Sequence, residues 1–119
     1  MRLKKVKIVV EPFEQLRSRW SKALKGKLKD DPNEEVISVP SIEILGKILS
    51  PPRIEILLVV PRLKPQSINA LAKALKKNFK NVYNDIQFLA DLGLIEIEEN
   101  GRKAKPIAKY KMIEFELAA

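Results

Sequence analysis

SINALAKALKKNFKNVYNDIQFLADLGLIEIEENGRKAK, residues Ser67–Lys105, is the stretch on which the fold turns. Ile68, Leu71, Ala72 and Leu75 recur at i, i+3, i+4 and i+7, which predicts a helix with one buried stripe, opened by Ser67. The run LKKN then breaks the period. Asn78 is the candidate N-cap of a second helix, with Phe79, Val82, Ile86 and Leu89 as its buried stripe and Gly93 as its stop. Leu94–Glu99 alternates as a strand. Asn100-Gly101 is the strongest short hairpin signal in the chain, and Arg102–Ala108 returns as the second strand.

Upstream, Ser41 caps a short helix with apolar positions at Ile42, Leu45, Ile48 and Leu49, stopped by Pro51-Pro52. Pro52 suits the start of the next helix, which sets Ile54, Leu57 and Leu58 on one face and ends at Pro61. Farther back, Lys5–Val10 reads as a strand. Phe13, Leu16, Trp20 and Leu24 follow Pro12 at helical spacing, Gly26 ends that pattern, and Val36–Val39 is a second short strand. Ile113–Leu117 alternates as a final strand. The expected class is α+β, with residues 1–40 a strand–helix–strand extension and residues 41–119 a second domain.

Composition limits the chemistry. The 119 residues include no Cys and no His, which removes disulfides, thiolate metal sites, the commonest general base and the commonest metal ligand. Glu96 and Glu98 share one strand face that is most simply solvated, so an enzyme is not expected, nor a cofactor or metal. No apolar run approaches membrane-spanning length, and the expected setting is cytoplasmic. The net charge is +8, which suits a polyanionic partner. Residues 1–50 carry 11 basic and 7 acidic groups and residues 51–119 carry 12 and 8, so a binding surface must come from local clustering.

Two helices joined by a tight turn and followed by a basic hairpin make a winged helix-turn-helix. A helix fits the major groove of DNA and presents its exposed face to base edges. With Phe79, Val82, Ile86 and Leu89 inward, Lys80, Asn81, Tyr83, Asn84 and Gln87 are left wholly or partly outward. Asn and Gln can pair bidentately with adenine. Lys76, Lys77 and Lys80 can meet phosphates near a helix N-terminus. Arg102, Lys103 and Lys105 lie at or just past the hairpin turn, where a wing reaches phosphates or the minor groove. A lysine taken alone is most simply a solvated surface residue. Two clusters at the two places where such a domain meets DNA say more. Asp85 has two readings: an acceptor from cytosine N4, or a salt bridge or cap ordering Lys80 or Arg102, the second being the simpler.

The stretch from Ser67 to Leu117 resembles a family of archaeal and bacterial winged-helix predicted transcriptional regulators, loosely similar in architecture to the ArsR and MarR groups. The resemblance rests on LSPPRIEILLVV ahead of the second helix, on Ser67, Leu71, Ala72 and Leu75, on Lys80, Asn81, Val82 and Asp85, and on Leu89 through Ile95. It covers the chain from Ser41 onward, and the upstream region more loosely. It implies DNA binding through Lys80, Asn81, Tyr83 and Asn84 with the wing assisting. Some relatives look like antitoxin-type regulators. The chain departs from the family at Asn84, where a basic residue is frequent, and after Lys76, where a Gly-Arg turn is common; base preference stays open.

The leading expectation is therefore a homodimeric transcriptional regulator, a repressor, bound to double-stranded DNA, with the N-terminal strand, the Trp20 helix and the final strand as dimer surface. The alternative is a protein-interaction module, such as an antitoxin binding a partner toxin. RNA is a third partner class, for which the chain lacks an aromatic stacking platform.

Overall fold

A computed structural model of the protein describes residues 4–10 and 34–116. The fold is mixed α+β. Among the described residues it comprises four helices and five strands in two sheets. Contacts divide the chain into two compact units, Met1–Lys47 with Tyr110–Ala119, and Ile48–Lys109. The Trp20 helix expected after Pro12 lies outside the described residues.

In the first unit, β1 (Lys4–Val10) is the middle strand of a sheet ordered β2-β1-β5, with β2 at Glu34–Val39 and β5 at Tyr110–Glu116. Both neighbours run parallel to β1. A central parallel strand is covered on both faces and reads as an apolar run, which is what KIVV supplies. Val6 and Ile8 point to one face and Val9 to the other, and all three are buried. The register sets Val6 between Glu35 and Ile113, and Ile8 between Ile37 and Phe115. The Tyr110 hydroxyl donates to the Glu35 carboxylate, joining the two edge strands across β1. Lys5 meets Glu114 at 3.2 Å on the opposite face. The last strand begins at Tyr110, earlier than its alternation suggested, because a register shift opposite Lys4 and Lys5 accommodates the extra residue. Contacts thus group β5 with the N-terminal strands, although the sequence reading kept it with the helices.

Helix α1 (Ile42–Ile48) follows β2, and Ser41 Oγ accepts from the Ile44 amide at 3.3 Å. The division between the units falls within it, after Lys47. Ile48 is buried, but Ile42 and Leu49, expected on the same apolar face, are exposed; seven residues are too few to bury a whole stripe.

The second unit continues with α2 (Pro51–Leu63), α3 (Ile68–Leu75), α4 (Phe79–Asp91), β3 (Ile95–Asn100) and β4 (Lys103–Ala108). Prolines at its first two positions start α2, where a missing N–H costs nothing. Two expectations for this helix are corrected. Its buried residues are Ile56 and Val60, and Leu58 is exposed. The segment IEILLVV is apolar nearly all round, so periodicity alone cannot choose a face. Pro61 lies inside the helix rather than ending it. The true stop is Lys64, left-handed at φ 50°, whose N–H reaches the Val60 carbonyl at 2.9 Å, with Pro65 next.

Ile68, Leu71 and Ala72 of α3 and Val82, Ile86 and Leu89 of α4 join Ile56, Val60, Leu94 and Ile95 in the buried set of this unit. Full burial of each large apolar side chain is worth about 1.5–3 kcal/mol. Ser67 caps α3 through its Oγ, which accepts from the Ala70 amide at 3.0 Å. Gly93, at φ 82°, ends α4: its N–H bonds to the Ala90 carbonyl and that of Leu94 to the Leu89 carbonyl, each at 2.9 Å. This paired closure satisfies two orphan carbonyls and favours glycine at the left-handed position.

The hairpin differs in one detail from its sequence signal. Asn100 pairs with Lys103, so the loop residues are Gly101 and Arg102. Only Gly101 takes positive φ, at 66°, while Asn100 stays in the strand. Glycine at the first loop position with an ordinary residue after it is the II′ pattern, not the I′ pattern of an Asn-Gly loop.

Candidate nucleic-acid interface

The α3–α4 turn is built by three consecutive local devices. Lys76 closes α3 in the left-handed conformation, at φ 58°. The N–H of Lys76 bonds to the Lys73 carbonyl at 3.1 Å, and that of Lys77 to the Ala72 carbonyl at 3.0 Å. Asn78 then caps α4: its Oδ1 accepts from the amides of Lys80 at 2.8 Å and Asn81 at 3.4 Å. Two of the orphan donors of the helix are satisfied there. The chain reverses within these residues, and Lys76, Lys77 and Lys80 are all exposed.

The outward face of α4 follows from its core stripe. With Val82, Ile86 and Leu89 inward, helical spacing turns Lys80, Asn84 and Gln87 toward the opposite side, flanked by Tyr83 and Asn81. Lys80, Asn81, Tyr83 and Asn84 are exposed, as expected; Gln87 is half-buried and its Nε2 donates to the Tyr83 hydroxyl at 3.4 Å. Lys77 is not an open cation, because Glu55 of α2 lies 2.7 Å from its Nζ. Among the described residues, Lys76, Lys80, Arg102, Lys103 and Lys105 take part in no ion pair.

Phe79 is a correction. It was expected in the buried stripe, but it is 48% exposed. The Asn78 cap makes it the first residue of α4, with no preceding turn to cover it. It leans instead on Tyr83, with ring centroids 5.9 Å apart and a tilt of 30°. The position of the cap was the signal that could have excluded it from the core.

Arg53 of α2 was missed by sequence reasoning. Its Nε lies 3.2 Å from Asp85 Oδ1, and its guanidinium carbon sits 4.1 Å from the centroid of the Phe88 ring. The buried Nε–H is not aligned into a hydrogen bond, so the contact with Asp85 is ionic and geometrically loose. Asp85 thus pairs with Arg53, and not with Lys80 or Arg102. No spacing rule could have linked positions on two different helices. Between α2 and the first turns of α4 lies an open cleft of about 480 Å³, lined by Pro52 and Ile56 on one side and by Asn78, Asn81 and Asn84 on the other.

At the hairpin, Arg102 and Lys103 are exposed at the tip. Lys105 is half-buried, directly opposite Glu98 in the strand pairing, so its charge is partly offset. Glu96, Glu98 and Glu99 are exposed along β3. The basic character of the hairpin is therefore confined to its turn.

No helix among the described residues is long and apolar enough to cross a membrane. No group of three or more acidic side chains among them could hold a metal ion.

No curated protein matches the sequence. A family model, described as HVO_A0114, matches residues 48–115, more than half of the chain. That range takes in α2, the α3–α4 turn, the hairpin and nearly all of β5. The protein therefore belongs to the HVO_A0114 family.

Proposed function

We propose that the protein is a winged helix-turn-helix transcriptional regulator that binds double-stranded DNA, with α4 in the major groove and the β3–β4 turn on the backbone. One observation carries this reading. Lys76, Lys80, Arg102 and Lys103, four of the exposed cations that take part in no ion pair among the described residues, lie at the start of α4 and at the tip of the hairpin within one compact unit. Asn81 and Asn84 line the cleft beside α2, with amides suited to adenine.

The protein acts as a homodimeric repressor. A single recognition helix touches few bases, and a dimer multiplies its specificity. Val36 on β2 and Met112 and Phe115 on β5 are exposed apolar residues on the edge strands of the three-stranded sheet, which suits that sheet as the dimer surface.

A second reading, a protein-interaction module such as an antitoxin, draws on Leu58 and Leu63, which are 55% and 48% exposed on α2. Retention of DNA fragments from the protein's own genome separates the two readings. Recovery of discrete fragments, with affinity falling by several log units per log unit of salt, supports the regulator. A flat salt response with no fragment retained supports the interaction module.

A further inference from the structure

Phe79 and Tyr83 set two large rings in solvent on the first two turns of α4, 48% and 39% exposed. Neither ring belongs to the buried face of this helix, which is formed by Val82, Ile86 and Leu89. They are held against each other at 5.9 Å, and the Gln87 amide steadies the Tyr83 hydroxyl. The result is a firm apolar patch on a helix that is otherwise polar outward. Lys76 and Lys80 lie beside it in the chain, exposed and outside any ion pair among the described residues.

An apolar patch with cations around it fits a polyanion that carries apolar groups at the depth a helix can reach. In the major groove of duplex DNA the only such group is the C5 methyl of thymine. We infer that the Phe79–Tyr83 pair reads thymine methyls and gives the protein a preference for A·T pairs beside the bases met by Asn84. This inference rests on the DNA-binding reading above and specifies what α4 recognises.

The full-length protein is titrated with a short alternating dA·dT duplex and with the same duplex carrying deoxyuridine for thymine. The exchange removes the methyl groups and leaves charge and hydrogen-bonding pattern intact. The expected result is binding weakened about fourfold for each methyl covered, the equivalent of one buried methyl group. Phe79→Ser, a change at an exposed position, should bind the thymine duplex more weakly and no longer distinguish the two. Equal binding of both duplexes by the unaltered protein overturns the inference while leaving DNA binding intact, and that comparison needs no variant. Tighter binding to single-stranded oligo-dT than to the duplex also overturns it, since the rings would then be stacking on unpaired bases. If neither duplex is bound even at low salt, the DNA-binding reading falls and takes this inference with it.

Discussion

Arg53 and Asp85 hold α2 against α4: the Arg53 Nε and an Asp85 carboxylate oxygen are 3.2 Å apart, with the guanidinium also lying over Phe88. Each side chain of the pair is about one-fifth exposed. The carboxylate is thereby neutralised at the edge of the surface that carries Asn81 and Asn84.

Removing Arg53 should cost more than a surface ion pair would. Arg53→Ala leaves Asp85 partly buried without its cation and strips a ring contact, for a loss of roughly 1–3 kcal/mol. Urea unfolding of Arg53→Ala, Asp85→Ala and the double variant measures the coupling. A double-mutant cycle showing no interaction energy would mean that the two helices are held by their apolar contacts alone.

Lys76 separates stability from binding. A lysine at φ 58° carries the strain of the left-handed conformation, which glycine relieves. Lys76→Gly should raise stability by about 0.5–1 kcal/mol and still weaken DNA binding by losing a phosphate contact. Thermal unfolding and a DNA titration of one variant test both halves. A variant that is stabilised and binds undiminished removes Lys76 from the interface.

Asn84 and Lys103 should fail in different ways. Asn84→Ala should cost on the order of 1–3 kcal/mol on the preferred site and relax preference at one or two positions. Lys103→Ala should weaken specific and non-specific binding about equally and lower the salt slope by about one. Titrations against preferred and scrambled duplexes at several salt concentrations distinguish these outcomes. Unchanged site preference in Asn84→Ala would mean that another face of α4 meets the bases.

Two positions on α4, three residues apart, should respond oppositely to a polar substitution. Val82 is buried, at 1% exposure, so Val82→Asp should unfold the domain by burying an unpaired charge. Phe79→Ser should shift stability by less than about 1 kcal/mol, since the ring is half in solvent. Circular dichroism through a thermal ramp decides it; a folded Val82→Asp would contradict the core described above.

The local devices were legible in the chain because each depends on neighbouring residues. Ser67 and Asn78 cap their helices through their own side chains, prolines start α2, and Gly93 stops α4, all by steric and hydrogen-bonding rules that act within one turn. The outward placement of Lys80, Asn81, Tyr83 and Asn84 followed from the same arithmetic once Val82, Ile86 and Leu89 were assigned inward. Tertiary structure alone decided the pairing of Val6 with Ile113 from opposite ends of the chain, the choice of Ile56 over Leu58 as a buried face, and the partner of Asp85. Each is a competition among several apolar or charged residues of similar local fitness. It is settled by which side chain another element happens to cover, and that energy does not exist until the elements meet.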